Sequence, residues 1–295
     1  MNTILHPILE VHHLNKSYKD FALQDVSFSL PEGCITGFIG ANGAGKTTTL
    51  HTLLGLTGAD SGEIRFLGMD MREQAEEIKN RIGVVLDSNC FYEGLTLNQM
   101  KNIIAPAYSR WCEEDYQRYL RTFSLNPKQT IKTLSKGMRV KYALTLALSH
   151  KAELLIMDEP TSGLDPLIRS QVLGILADYM ENGGRGVFFS THITSDLDKI
   201  ADTLILIDDG KILFQEEKDV LLDSYRIVKG DVCWLTADTR PLFINVSETA
   251  FGFTALTGQA ARVLAMMPEA VMERPHIEDI MLGVIGENVP AKERR

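Results

Sequence analysis

The spacing of apolar residues changes several times along the chain, and each change predicts a different element. Leu9 and Val11, then Val26, Phe28 and Leu30, recur at period two, as in half-buried strands. Pro31-Glu32-Gly33 reads as a turn leading into a buried strand over 34–39. Residues 64–68 read as a short strand ending in a turn. A polar helix is predicted over 70–81, followed by a buried strand over 82–86. The stretch 96–149 reads as helical and starts at a capping box, Thr96-Leu97-Asn98-Gln99. Its aromatics, Tyr108, Trp111, Tyr116 and Tyr119, are expected to pack in the core. Residues 154–157 and 186–189 are unbroken apolar runs, the pattern of parallel strands buried on both faces. Residues 204–214 form a hairpin pattern with Asp209-Gly210 at its turn. Beyond about residue 220 the character shifts to a small mixed α/β piece, and the tail 288–295 is expected to fray.

Chemistry concentrates where strands end. Between the strand at 34–39 and a helix from Thr48 lies Gly40-Ala41-Asn42-Gly43-Ala44-Gly45-Lys46-Thr47-Thr48, a phosphate-binding loop in its required strand–loop–helix setting. Glycine lets the backbone come close to phosphates, and the N–H groups at a helix start form an anion nest. Lys46 is placed to reach the β- and γ-phosphates and Thr47 to offer its hydroxyl to Mg²⁺. The strand at 154–157 ends in Asp158-Glu159, two adjacent carboxylates that point differently. Asp158 is suited to hold Mg²⁺ through water and Glu159 to act as general base on an attacking water. Leu134-Ser135-Lys136-Gly137-Met138 opens a helix rich in Ala and Leu, and its Ser and Gly make a second anion site. One nucleotide does not need two such sites in one chain, but two facing chains do.

Composition narrows the partners. A net charge of −9 argues against electrostatically driven nucleic-acid binding, and no nucleic acid is expected. Cys34, Cys90, Cys112 and Cys233 are scattered, which suggests neither a zinc site nor a disulfide framework and fits a reducing cytoplasm. The first seven residues lack a signal-peptide pattern. No apolar run approaches the ~20 residues that span a bilayer, so any spanning is left to another polypeptide.

The ordered motifs from residue 8 to about 215 resemble those of the ATP-binding subunit of ABC transporters. The resemblance implies an α/β fold: a P-loop NTPase core with a mixed sheet, an antiparallel β subdomain and an inserted α-helical subdomain at about 88–149. It places the nucleotide-binding domain at 1–220 and leaves 221–295 as a small C-terminal α/β accessory region. Within that family Tyr18 matches the aromatic that stacks on adenine, and Gly40 to Thr48 match the Walker A loop. Ser135 and Gly137 match the signature motif, Asp158 and Glu159 the Walker B carboxylates, Asp165 the D-loop aspartate and His192 the switch histidine. The implied ligands are ATP and Mg²⁺. The implied partners are an integral membrane permease and a second ATPase subunit, identical or paralogous, at the cytoplasmic face of the membrane. The variants resemble a bacterial exporter branch linked to antibiotic and peptide efflux. Three residues depart from the usual pattern: Lys136 and Met138, where the signature usually has Gly and Gln, and Asp87. Lys136 replaces a signature glycine and is expected to be solvated. Asp87 replaces a glutamine that approaches Mg²⁺, and a carboxylate there can still serve, with shorter reach.

Overall fold

A computed structural model describes residues 7–87, 91–181 and 183–288. The expectations for 88–90, Cys90 included, for the first six residues and for most of the tail lie outside the described residues. The chain forms two compact units: one comprises the chain to Ile193 plus Ile205–Gln215, the other Thr194–Leu204 plus the chain from Glu216.

The first unit opens with β1 (Pro7–Ser17) and β2 (Ala22–Pro31), then β3 (Ile35–Ile39), α1 (Lys46–Leu53), β4 (Ser61–Phe66) and β5 (Met69–Asp70). It continues through α2 (Ala75–Arg81), β6 (Ile82–Val85), α3 (Leu97–Ile104), α4 (Glu113–Thr122), α5 (Lys136–Ser149), β7 (Leu154–Asp158), α6 (Pro166–Met180) and β8 (Gly186–Thr191). After α7 (Thr194–Ile200), which belongs to the second unit, the hairpin β9 (Thr203–Asp208) and β10 (Lys211–Glu217) follows. Two sheets result. An antiparallel one runs β2-β1-β4-β5, and a six-stranded one runs β10-β9-β3-β8-β7-β6. In the latter β3, β8, β7 and β6 are parallel, and every residue of β3, β7 and β8 is buried. That explains their unbroken apolar runs. Phe28 of β2 meets Phe38 of β3 and Phe188 of β8, with ring centroids 5.3–6.0 Å apart, so one aromatic cluster cements the two sheets.

The polar helix is shorter than its pattern suggested. Met71 is buried, and Asp70 accepts a hydrogen bond from the Arg72 amide, a turn that delays α2 to Ala75. The capping box at Thr96 is present in full. Of the four aromatics expected in the core, only Tyr116 is fully buried; Tyr108, Trp111 and Tyr119 are half-buried.

Tyr108 stacks on His150, with ring centroids 3.9 Å apart, at an apolar groove of about 330 Å³. His150 is 1% exposed, and desolvation pushes its imidazole down to about 4. The sign follows from linkage. An unfolded chain protonates this histidine at a higher pH than the folded one, so its contribution to stability is intact above about 6.5 and is lost as pH falls towards 4. At pH 5 the loss is about 2 kcal/mol. His150→Phe keeps a ring against Tyr108 and removes the titration. Its melting temperature is expected to fall less between pH 7 and pH 5 than that of the wild type, and equal falls would contradict the assignment.

The second unit adds α8 (Lys218–Ser224), β11 (Arg226–Gly230), β12 (Asn245–Thr249), β13 (Gly252–Thr257), α9 (Ala260–Met266), β14 (Val271–Glu273) and α10 (Ile277–Asn288). Its antiparallel sheet runs β12-β13-β11-β14 over a core that includes Val228, Phe243, Phe253 and Val263.

Candidate functional site

The C-terminal ends of β3, β6, β7 and β8 feed one cavity of about 760 Å³. Asn42, Gly43, Gly45, Lys46, Thr47 and Thr48 form one wall, and Asp87, Glu159, Ser162 and His192 another. Asp20, Phe21 and Asp209 complete the lining.

The loop is held by what surrounds it. A Cβ on Gly40 would fall 2.4 Å from the Ile207 carbonyl oxygen. Gly45 takes φ +114° at the N-cap of α1, where a Cβ would collide with Phe21 and Leu23. No acidic residue sits in the first turn of α1, so its positive end is open to an anion. Ala44 is buried. Lys46 is 6% exposed; its ammonium donates to the carbonyls of Gly40 at 2.8 Å and Ala41 at 3.2 Å, and lies 3.6 Å from Glu159 Oε1. A buried charge of this kind persists only when paired and hydrogen-bonded, and here it is both. The side chain is folded back over the loop, already at the cavity wall.

Glu159 occupies a strained position, with φ +48°. Its amide donates to the backbone oxygen and the Oγ of Ser190, at 3.1 and 3.2 Å. Its carboxylate contacts His192 Nδ1 at 2.8 Å through Oε2 and faces Lys46 through Oε1. The turn thus separates the two acids: Asp158 is buried and accepts a hydrogen bond from Ser190 Oγ, and Glu159 lines the cavity. Ser190, fully buried, holds the Asp158 carboxylate and the Glu159 backbone amide and was not singled out in the sequence. The available signal was a hydroxyl closing the apolar run just before Thr191-His192.

Carboxylate and hydroxyl oxygens from Thr47, Asp158, Asp87 and Glu159 are hard donors of the kind Mg²⁺ takes. Among the described residues no group of three acidic, His or Cys side chains is gathered to hold a metal alone.

Residues 23–162 match the ABC transporter family. A bacitracin transport ATP-binding protein of Bacillus licheniformis is 32% identical over 70% of this chain and 68% of its own length. The chain belongs to the ABC transporter ATP-binding proteins. A linearmycin resistance ATP-binding protein of Bacillus subtilis is likewise 32% identical, over 70% of this chain and 68% of its own. A solved ATP-binding subunit of an ABC transporter superposes with a TM-score of 0.67 at 29% identity, over 73% of this chain and 92% of that one. The fold is therefore that of an ABC ATPase cassette, as the sequence motifs implied.

The remaining motif residues of this ABC cassette lie off the cavity wall. Ser135 caps α5, its Oγ accepting from the Met138 amide at 3.3 Å. Gly137 allows close approach of α6, since a Cβ there would lie 2.9 Å from Ile168 Cγ2. Asp165 caps α6 by accepting from the amides of Leu167 and Ile168. Tyr18 is half-exposed, with the Lys16 ammonium 5.6 Å from its ring, and the aromatic lining the cavity is Phe21. Lys136 is corrected: it is not simply solvated but donates to Asp87 Oδ1 at 2.7 Å. Its sequence neighbours are polar or small, so nothing local revealed a partner on another element.

Proposed function

We propose that this ABC ATPase hydrolyses Mg²⁺–ATP at the cavity to drive export through a separate membrane-spanning permease, with an antibiotic, a peptide or another amphipathic compound as cargo. The observation that carries the chemistry is the convergence of Lys46, Glu159 and His192 on one cavity behind a helix N-terminus. Lys46 and the loop amides bind the phosphates. Glu159, oriented by His192, accepts the proton of a water that attacks the γ-phosphorus. The bond to the β–γ bridging oxygen breaks, and ADP and phosphate are left. Thr47 and Asp87, with Asp158 through water, would hold Mg²⁺, which would supply positive charge against the phosphates. Tyr18 is assigned to the adenine.

Ser135 and Gly137 stand away from this chain's own cavity, which supports a role at the nucleotide of a second cassette. Two cassettes then close over two nucleotides, and product repulsion reopens them. Residues 1–220 are assigned to this work and 221–295 to an accessory role. Docking on a permease at the inner face of the membrane is supported by the groove beside α3, where Phe91, Met100, Ile104 and Tyr108 present apolar surface. Among the described residues no helix is long and apolar enough to cross a membrane.

Affinity purification of the tagged chain from detergent-solubilised membranes tests the assignment. Recovery of an integral membrane protein at fixed stoichiometry is expected. Co-sedimentation with ribosomes and no membrane association would overturn it.

A further inference from the structure

Asp87 and Lys136, two of the departures from the family pattern, are 49 residues apart in sequence and meet in space. Asp87 lies just past β6 and lines the cavity with Lys46, Thr47 and Glu159. Lys136 is the first residue of α5. A cation is poorly placed there, because the helix dipole is already positive at that end and the first turn of α5 holds no acidic residue. Asp87 supplies the missing negative charge from another element. The Lys136 side chain also runs beside the loop after Glu159: a Cβ on Gly163 would be 3.8 Å from its Cδ and its Nζ. The ammonium is thus held at Asp87, which lines the cavity.

A carboxylate oxygen engaged by an ammonium is a weaker ligand for a divalent cation, and a cation at Asp87 weakens the ammonium's hold. We propose that the Asp87–Lys136 pair is a latch that competes with Mg²⁺–nucleotide for Asp87, so that filling the cavity releases Lys136. The proposal rests on reading the cavity as a Mg²⁺–nucleotide site. Linkage makes the competition reciprocal: whatever strengthens the pair raises the Mg²⁺ concentration needed for nucleotide binding. Lys136 acts through Asp87 and is a positioning residue. Both side chains are about half exposed, at 44% and 52%, so the effect is about two- to fivefold, the range an exposed ion pair supplies.

The test is equilibrium binding of a fluorescent, non-hydrolysable ATP analogue to the purified full chain, titrated with Mg²⁺. Lys136→Met is expected to lower the half-saturating Mg²⁺ concentration by about two- to fivefold. Lys136→Arg, which keeps the pair, should stay at the wild-type value. Asp87→Asn should raise it, and adding Lys136→Met to Asp87→Asn should change nothing further. The latch is wrong if Lys136→Met leaves the midpoint unchanged, or if its effect survives in the Asp87→Asn background, which would mean through-space charge alone. Wild-type binding that ignores Mg²⁺ overturns the metal role of Asp87 and the latch together. Absence of any nucleotide binding instead sinks the reading of the cavity itself.

Discussion

Glu159→Gln is expected to lower the turnover number for ATP by about 10²- to 10⁴-fold, the usual contribution of a general base. Nucleotide affinity should hold at the wild-type value or improve. Glutamine fills the same space and still hydrogen-bonds His192, so the strained turn after β7 and its Ser190 contacts are kept. What it cannot do is accept a proton. It also removes one negative charge facing the phosphates, which is why binding is not expected to suffer. Steady-state phosphate release beside equilibrium nucleotide binding separates the two effects. Turnover within a few-fold of the wild type would remove Glu159 from the role of base. Loss of binding as well as turnover would mean that the substitution had damaged the cavity.

The second large effect belongs to Lys46. Its ammonium is almost fully buried and spends its hydrogen bonds on the loop's own carbonyls and its charge on Glu159. Lys46→Met keeps most of the volume and deletes the charge. A charge-assisted hydrogen bond contributes roughly 1.5–3 kcal/mol, so ATP affinity should fall by at least about tenfold and up to about 10²-fold. Adenosine, which lacks phosphates, should bind the variant and the wild type alike, so the ratio of the two affinities is the measurement. A loss shared equally by ATP and adenosine would point to a distorted pocket instead of a missing phosphate contact. An ATP affinity unchanged within about twofold would contradict the placement of Lys46 at the phosphates.

The legible parts of the fold were those in which local pattern and burial coincide. The runs at 154–157 and 186–189 are β7 and β8, buried throughout, and Asp209-Gly210 is the turn between β9 and β10. The phosphate loop was legible because its steric demands are local: a strand, a positive-φ glycine and a helix start within a dozen residues. Features set by distant contacts were not legible. The shortening of α2 depends on the burial of Met71 and the Asp70 turn. The role of Ser190 appears only when β7 and β8 are side by side, since its hydroxyl serves residues 31 and 32 positions away. The same holds for Lys136, whose partner comes from past β6. In the second unit the sequence signalled a small α/β piece, but the sheet order β12-β13-β11-β14 rests on pairings that alternation alone cannot rank.

The central claim is that this chain holds a hydrolytic half-site completed by a second cassette on a membrane protein. Native mass measurement of the complex purified from membranes through tagged Glu159→Gln, with Mg²⁺ and ATP present, addresses it most directly. The account predicts an integral membrane protein with two cassettes, at least one of them this chain, and retained ATP. A lone cassette carrying ATP, or a complex with no membrane protein, would contradict it.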